Sequence, residues 1–181
     1  MKFDQRVTLR NGKEAWLRNG GASDGEAAYE IFNIAHAETD YLLSYPDEGG
    51  FDPEQEGQYL KEKAESPNET EILAFVDGKV AGTAGIEAVG TKYKVRHRAE
   101  FGISILREYW GLGLGKALTK ACIQCARDAG YVQLELNVVA DNARAISLYR
   151  DLGFEEFGRN PRGFNSRESG FQELIYMLLR L

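Results

Sequence analysis

Gly111, Gly113 and Gly115 alternate with Leu112 and Leu114 and are followed at once by Lys116. The apolar run Ile103-Ser104-Ile105-Leu106 before them reads as the end of a strand. After them Leu114, Leu118, Ala121, Cys122, Cys125, Ala126 and Ala129 recur at helical spacing, and Gly130 supplies a stop. A glycine turn between strand and helix lets a ligand come close to the main chain. The free N–H groups of the first helical turn then face it with the positive end of the helix dipole. Such a site suits a pyrophosphate. Two familiar phosphate motifs fail on spacing. A dinucleotide fingerprint starting at Gly111 needs glycine where Lys116 stands, and a Walker A loop ending in Gly115-Lys116 needs glycine at Trp110 and Ser or Thr at Ala117.

The elements that must position this turn follow from punctuation and periodicity. Asn11-Gly12 and Asp77-Gly78 are hairpin signals, flanked by strands at 7–9 and 14–18 and at 71–76 and 79–88. Asp24 can cap a helix to about Thr39, with Ala27, Ile31, Ile34 and Ala35 on one face. After the loop at 45–50, Asp52-Pro53 opens a second helix. Residues 96–106 read as a long strand and 132–139 as another. Asp141 can cap a short helix through Tyr149 ending at Gly153, and 154–157 and 171–179 are candidate final strands. The strand–helix–strand crossover after Leu106 makes its two strands parallel. The expected fold is a mixed α/β (α+β) sheet with helices on both faces: an antiparallel N-terminal meander joined to a central parallel strand pair. The 181 residues show no linker or repeat, so one domain spans 1–181.

Composition narrows the function classes. Apolar residues make up 43% and charged residues 28%, an ordinary globular balance that argues against a disordered chain. No run approaches a membrane span and the start has no apolar stretch fit for a signal peptide, so a soluble cytoplasmic protein is expected. Cys122 and Cys125 lie inside an amphipathic helix, where small buried thiols are the natural reading. His36 and His97 give no ligand spacing with them, so no metal is expected. Residues 19–60 hold ten carboxylates and no Lys or Arg, within a net charge of −6. That window, Asp47 and Glu48 included, could line an acceptor side and draw in a cationic amine. The alternative is a solvated acidic surface. Lys92, Lys94, Arg96 and Arg98 would share one face of a strand, but an acidic chain argues against nucleic acid as a partner.

Two stretches carry a more specific signal. Ile103 to Lys116 resembles the acetyl-CoA-binding motif of the GNAT N-acetyltransferase superfamily, with its loop pattern Q/R-x-x-G-x-G/A. Trp110 departs from that pattern at its first position and is expected to pack under the loop. The second family motif follows at the expected distance, Asn137 to Phe154, with the core N-x-x-A-x-x-L-Y-x-x-x-G-F intact from Asn142.

The resemblance implies an acetyl-CoA-dependent N-acetyltransferase acting by direct transfer to a primary amine of a small molecule or peptide. It implies that Ile103, Ser104 and Ile105 pair with the pantetheine arm and that Gly111, Leu112, Gly113, Leu114, Gly115 and Lys116 hold the diphosphate. Asn142 and Tyr149 would contact the coenzyme, and Tyr149 would protonate the departing thiolate. Beside these stand plainer readings: Tyr149 as a core side chain and Asn142 as a polar residue at a helix start. For the base that frees the amine, Glu100 is the first choice, with Glu87 and Glu135 as alternatives. A non-catalytic acyl-CoA sensor of the same fold and a nucleotide-phosphate binder are the competing function classes. A homodimer is compatible with the sequence.

Overall fold

Side-chain alternation sorts the two faces of the sheet. In β3 (Thr70–Val76), Ile72, Ala74 and Val76 are fully buried on one side, whereas Leu73 and Phe75 point to the other. The computed structural model describes residues 2–48 and 50–181. Met1 and Gly49, the latter in the loop expected at 45–50, lie outside the described residues. Eight strands form one sheet in the order β1-β2-β3-β4-β5-β6-β8-β7. The others are β1 (Asp4–Thr8), β2 (Glu14–Asn19), β4 (Lys79–Ala88), β5 (Arg98–Ile105), β6 (Gln133–Val139), β7 (Glu155–Ser166) and β8 (Gly170–Arg180). All neighbours are antiparallel except β5 and β6, the predicted parallel pair.

Helices cover both faces, as expected. α3 (Leu114–Asp128) buries Leu114, Leu118, Cys122 and Ala126 against the Ile72–Ala74–Val76 side, and Ile146 and Tyr149 of α4 (Ala143–Asp151) join the same cluster. Each fully buried Leu there contributes roughly 1.5–3 kcal/mol of apolar burial. α1 (Gly25–Glu38) and α2 (Pro53–Glu65) close over Leu73 and Val80 with Ala28, Ile31 and Leu60. Cys122 and Cys125 are free and buried, and burial pushes the Cys125 thiol up to about 11.

Several boundaries differ from the sequence reading. β5 begins at Arg98, because residues 92–97 turn: the N–H groups of Val95 and Arg96 both donate to the Lys92 carbonyl. The cations at 92, 94, 96 and 98 therefore do not share a strand face, and Arg98 pairs with Glu135 at 2.5 Å. The buried face of α1 is Ala28, Ile31 and Ala35, leaving Ile34 exposed. Asp141 does not cap α4; Asn142 does, its Oδ1 accepting from the Ala145 N–H at 3.2 Å. β7 runs on to Ser166, paired along β8 across two irregularities in register.

Asp24 precedes α1 but its side chain does not cap it. It accepts two bonds from the Arg18 guanidinium, at 2.7 and 2.8 Å, and one from the Gly21 N–H. Arg18 in turn lies over the rings of Phe75 and Trp16, at 4.3 and 5.0 Å. The Arg18 hydrogen bonds hold the Asp24 carboxyl below its usual range. Asp24→Ala is expected to cost about 2 kcal/mol of stability at neutral pH. A carboxylate with a depressed folded pKa stabilises above its unfolded value of 3.8 and loses that contribution as pH falls through the folded value. Thermal unfolding of both proteins from pH 7 downward should show the gap in Tm closing in acid.

Candidate active site

The parallel pairing of β5 and β6 is short. It covers Arg98↔Gln133, Ala99↔Leu134 and Glu100↔Glu135. β6 then runs with β8 as far as Val139↔Leu174, while β5 runs with β4 as far as Gly82↔Ile105. The two strands splay, and residues 101–105 keep one edge without a strand partner. Buried main-chain groups on such an edge require partners. The Ser104 hydroxyl, buried in the same stretch, has no hydrogen-bond partner among the described residues.

A 3₁₀ turn at Arg107–Tyr109 and a glycine loop carry the chain from β5 into α3. Gly111 and Gly113 take the left-handed region, at φ +76° and +93°, and Gly113 is the residue before the helix. The carbonyls of Gly111 and Leu112 are engaged by Arg10 on the β1–β2 loop, through its guanidinium at 3.3 Å and its N–H at 3.0 Å. Among the described residues no group accepts from the N–H of Gly111, Leu112, Gly113, Leu114, Gly115 or Lys116; Ala117 is the first to donate, to the Gly113 carbonyl. The loop is thus fixed through its carbonyls and open through its donors, which is what an anion demands. Trp110 supports the loop from beneath, as expected: its indole N–H donates to the Ile105 carbonyl at 2.7 Å, and Arg144 of α4 lies 4.8 Å over its ring. Gly115 brings the parts together. A Cβ there would stand 3.3 Å from Leu148 of α4 and 3.4 Å from Ile105 of β5.

Tyr149 reaches back from α4 onto Phe101, the first β5 residue beyond the parallel pairing, in an edge-on contact of 6.1 Å between centroids. Phe154 packs on its other side at 5.8 Å. Burial raises the phenol above its ordinary pKa, so it is held protonated, and it makes no hydrogen bond among the described residues. Asn142 spends its Oδ1 on the cap and keeps its amide hydrogens.

Glu100 points to the opposite face from Phe101 and Tyr149. There it forms the middle of a cross-strand row, Glu87↔Glu100↔Glu135, exposed and 3.4 Å from the Asn137 amide. Glu135 is bound to Arg98 and held below its ordinary pKa, and Glu87 pairs with Lys63 at 2.8 Å. The acidic loop is partly compensated: Arg167 at the β7–β8 turn takes both oxygens of Asp47 and pairs with Glu48 at 3.5 Å, one cation against two carboxylates.

The sequence reading missed Glu71. This β3 side chain lies over Gly85 of β4, where a Cβ would stand 2.0 Å from its Oε2, and the neighbouring Thr83 hydroxyl favours its charged form. Burial raises it to about 7. The available signal was the pair of glycines inside strands, Gly85 and Gly102, which face each other across β4 and β5.

Comparison with known proteins agrees with this geometry. The family described as Acetyltransferase (GNAT) family matches residues 29–154. L-amino acid N-acetyltransferase AaaT of Escherichia coli (strain K12) is 30% identical over 63% of this chain and 70% of its own length. A mycothiol acetyltransferase of an Arthrobacter species is 43% identical over 46% of this chain, a match that spans only 24% of that relative. Among solved structures, a GNAT-family acetyltransferase from Streptococcus pneumoniae superposes with a TM-score of 0.88 at 30% identity, covering 92% of this chain and 99% of that one. A Salmonella typhimurium protein described as a putative acetyltransferase, solved with acetyl-CoA, shares the fold with a TM-score of 0.80 at 22% identity, covering 92% and 94%. With the family match running through the splayed strand, the glycine loop and the Tyr149 helix, this chain belongs to the GNAT acetyltransferase family.

Proposed function

We propose that the protein is a cytoplasmic acetyl-CoA-dependent N-acetyltransferase that moves an acetyl group directly from the thioester to a primary amine of a small molecule or peptide. One observation carries this reading: the unpartnered N–H groups from Gly111 to Lys116 continue from the strand whose residues 101–105 have an open edge. The loop would hold the diphosphate, with Lys116 adding a cation at the first turn of α3. Ile103, Ser104 and Ile105 would pair with the extended arm as with an added strand. The coenzyme, when bound, supplies an activated acetyl carbonyl. A β5 N–H facing its oxygen would stabilise the charge that develops as the amine attacks. Asn142 would donate its amide hydrogens, and Tyr149 would give its proton to the departing thiolate. A thiol pKa near ~8.5 lies below a phenol's ~10, and burial makes the phenol a weaker acid still, so placement and the strong basicity of a desolvated thiolate must drive that transfer.

The acceptor class has two supports. Relatives carry names that speak of L-amino acids and of mycothiol. The face of β3, β4 and β5 opposite Tyr149 carries Glu71, Glu87 and Glu100, with Lys63 already held by Glu69 and Glu87.

Calorimetry with acetyl-CoA should register binding. Thiol release measured across L-methionine, spermidine, phenethylamine and a tripeptide with a free N-terminus should show turnover for at least one amine, whereas a sensor would bind and release nothing. Gly113→Ala forces a β-carbon into the left-handed region at a cost of roughly 1–2 kcal/mol, while its nearest neighbour, Arg10 Cγ, is 4.0 Å away. Acetyl-CoA affinity should therefore fall about tenfold with secondary structure intact. Tyr149→Phe should lower kcat by roughly 10²-fold and leave acetyl-CoA affinity nearly unchanged. A large loss of binding instead would mark Tyr149 as a packing residue.

A further inference from the structure

An amine attacks a thioester only as the free base, yet an alkyl ammonium near pKa ~10 is protonated at neutral pH. Glu100 is exposed and faces water. Glu71 sits differently. It faces the α2 side of β3, lies across Gly85, and has the Thr83 hydroxyl as a neighbour that favours its charged form. Gly85 pairs with Gly102 of β5, where a Cβ would meet nothing within 4 Å, so a floor of two glycines runs from the Glu71 carboxyl to the splayed strand. One register step along the same face stand Thr83 and Ser104, the latter with its buried, unpartnered hydroxyl. The open edge of β5 lies one to two strand spacings, ~5–10 Å, from the carboxyl, so an amine seated over Gly102 would meet it through bridging water.

A structural role explains this arrangement poorly. Among the described residues no cation pairs with Glu71: Lys63 of α2, which acts on it through space, is bound to Glu69 at 2.7 Å and Glu87 at 2.8 Å. The other titratable groups facing Glu71 are Glu87 on β4, Glu56 and Tyr59 on α2, and the Cys122 thiol from the far side of the sheet. An unpaired carboxyl in that setting weakens the fold above neutral pH, and beside the Gly85 that it covers, Gly102 leaves open space.

Resting on the acetyltransferase reading, we propose that Glu71, rather than Glu100, takes the proton from the acceptor ammonium, with Thr83 beside its carboxyl. The N–H bond breaks and its electron pair stays on nitrogen, and the proton passes to Glu71. The amine then attacks the acetyl carbonyl, the C–S bond breaks and the thiolate takes the proton of Tyr149, while the attacking nitrogen, now cationic, sheds its second proton to water, from which the tyrosinate is reprotonated. Glu87 and Glu100 would attract the ammonium to the mouth of the floor.

The test is kcat/KM against pH for whichever of L-methionine, spermidine, phenethylamine and the tripeptide is acetylated. Wild type should show an acid limb near 7, where burial places Glu71. Glu71→Gln should lower kcat/KM by roughly 10²-fold at neutral pH and remove that limb, with acetyl-CoA affinity unchanged. Thr83→Val removes the neighbouring hydroxyl that favours the carboxylate, so the limb should move to higher pH; this arm stands even if Glu71→Gln fails to fold. A second readout needs no acceptor. A carboxyl whose folded pKa is raised loses stability as pH rises from its ordinary 4.5 through about 7, so the Tm of Glu71→Gln should gain on wild type between pH 5 and pH 8. An unmoved limb in Thr83→Val, or Glu71→Gln within threefold of wild type, overturns the assignment to Glu71 alone. Acetyl-CoA binding with no amine acetylated overturns the acetyltransferase reading and this one together.

Discussion

An unpaired strand edge inside a folded protein is a debt in hydrogen bonds, and this molecule carries one at its centre. β5 and β6 share three residue pairs and then separate, each holding its full ladder on the other side. Each buried N–H or C=O left without a partner costs on the order of 1–3 kcal/mol, so the gap persists only where the surrounding packing imposes it. β6 is held by β8 along its whole length, β5 by β4, and Tyr149 and Phe154 pack behind Phe101 where the strands part. The loop at the end of β5 repeats the same logic. Its carbonyls are bound by Arg10 and its donors are not. An extended ligand with a diphosphate at one end satisfies both deficits in one binding event.

β5 also divides the chemistry by side-chain alternation. Phe101 faces the apolar cluster that keeps the Tyr149 phenol protonated, while Glu100, Gly102 and Ser104 face the carboxylates on the other side. On the proposed reading a proton donor and a proton acceptor would then work on one reaction without neutralising each other, because the strand that would present the thioester stands between them. Their environments differ in kind. Tyr149 has only apolar company, and Glu71 has Thr83 to stabilise its charged form.

Local signals in the sequence reached the elements and the loop, and stopped where distant segments meet. Asp52-Pro53 opens α2 as read, with Asp52 and Gln55 completing a reciprocal cap, and Asp77-Gly78 turns with both residues at positive φ. Gly111 to Lys116 presents free donors because glycine spacing and helix ends are local properties. By contrast, Asp24 and Asn142 show the limit. Both are residue types that cap helices, yet only Asn142 caps one, because Arg18, six residues before Asp24 on β2, claims that carboxylate. Glu71 was illegible for the same reason. Its environment is made by a glycine fourteen residues away on the next strand and by a helix that precedes it.

The acidic window at 19–60 shows why a charge tally does not give a field. Asp24 is neutralised by Arg18, and Asp47 and Glu48 share the single positive charge of Arg167. Asp40 takes no cation but accepts from Ser166 at 2.6 Å, Tyr45 at 2.9 Å and Gln172 at 3.0 Å, and these bonds hold its carboxyl below the ordinary range. The loop after α1 is therefore stapled to the β7–β8 turn by the very groups that seemed available to attract a substrate. What attracts an amine must come instead from carboxylates without such partners. On the proposed reading those are Glu71 on β3 and Glu100 on β5, in strands whose net composition gave no hint of acidity, and their effect would depend on the open space at Gly102 that lets a cation approach them.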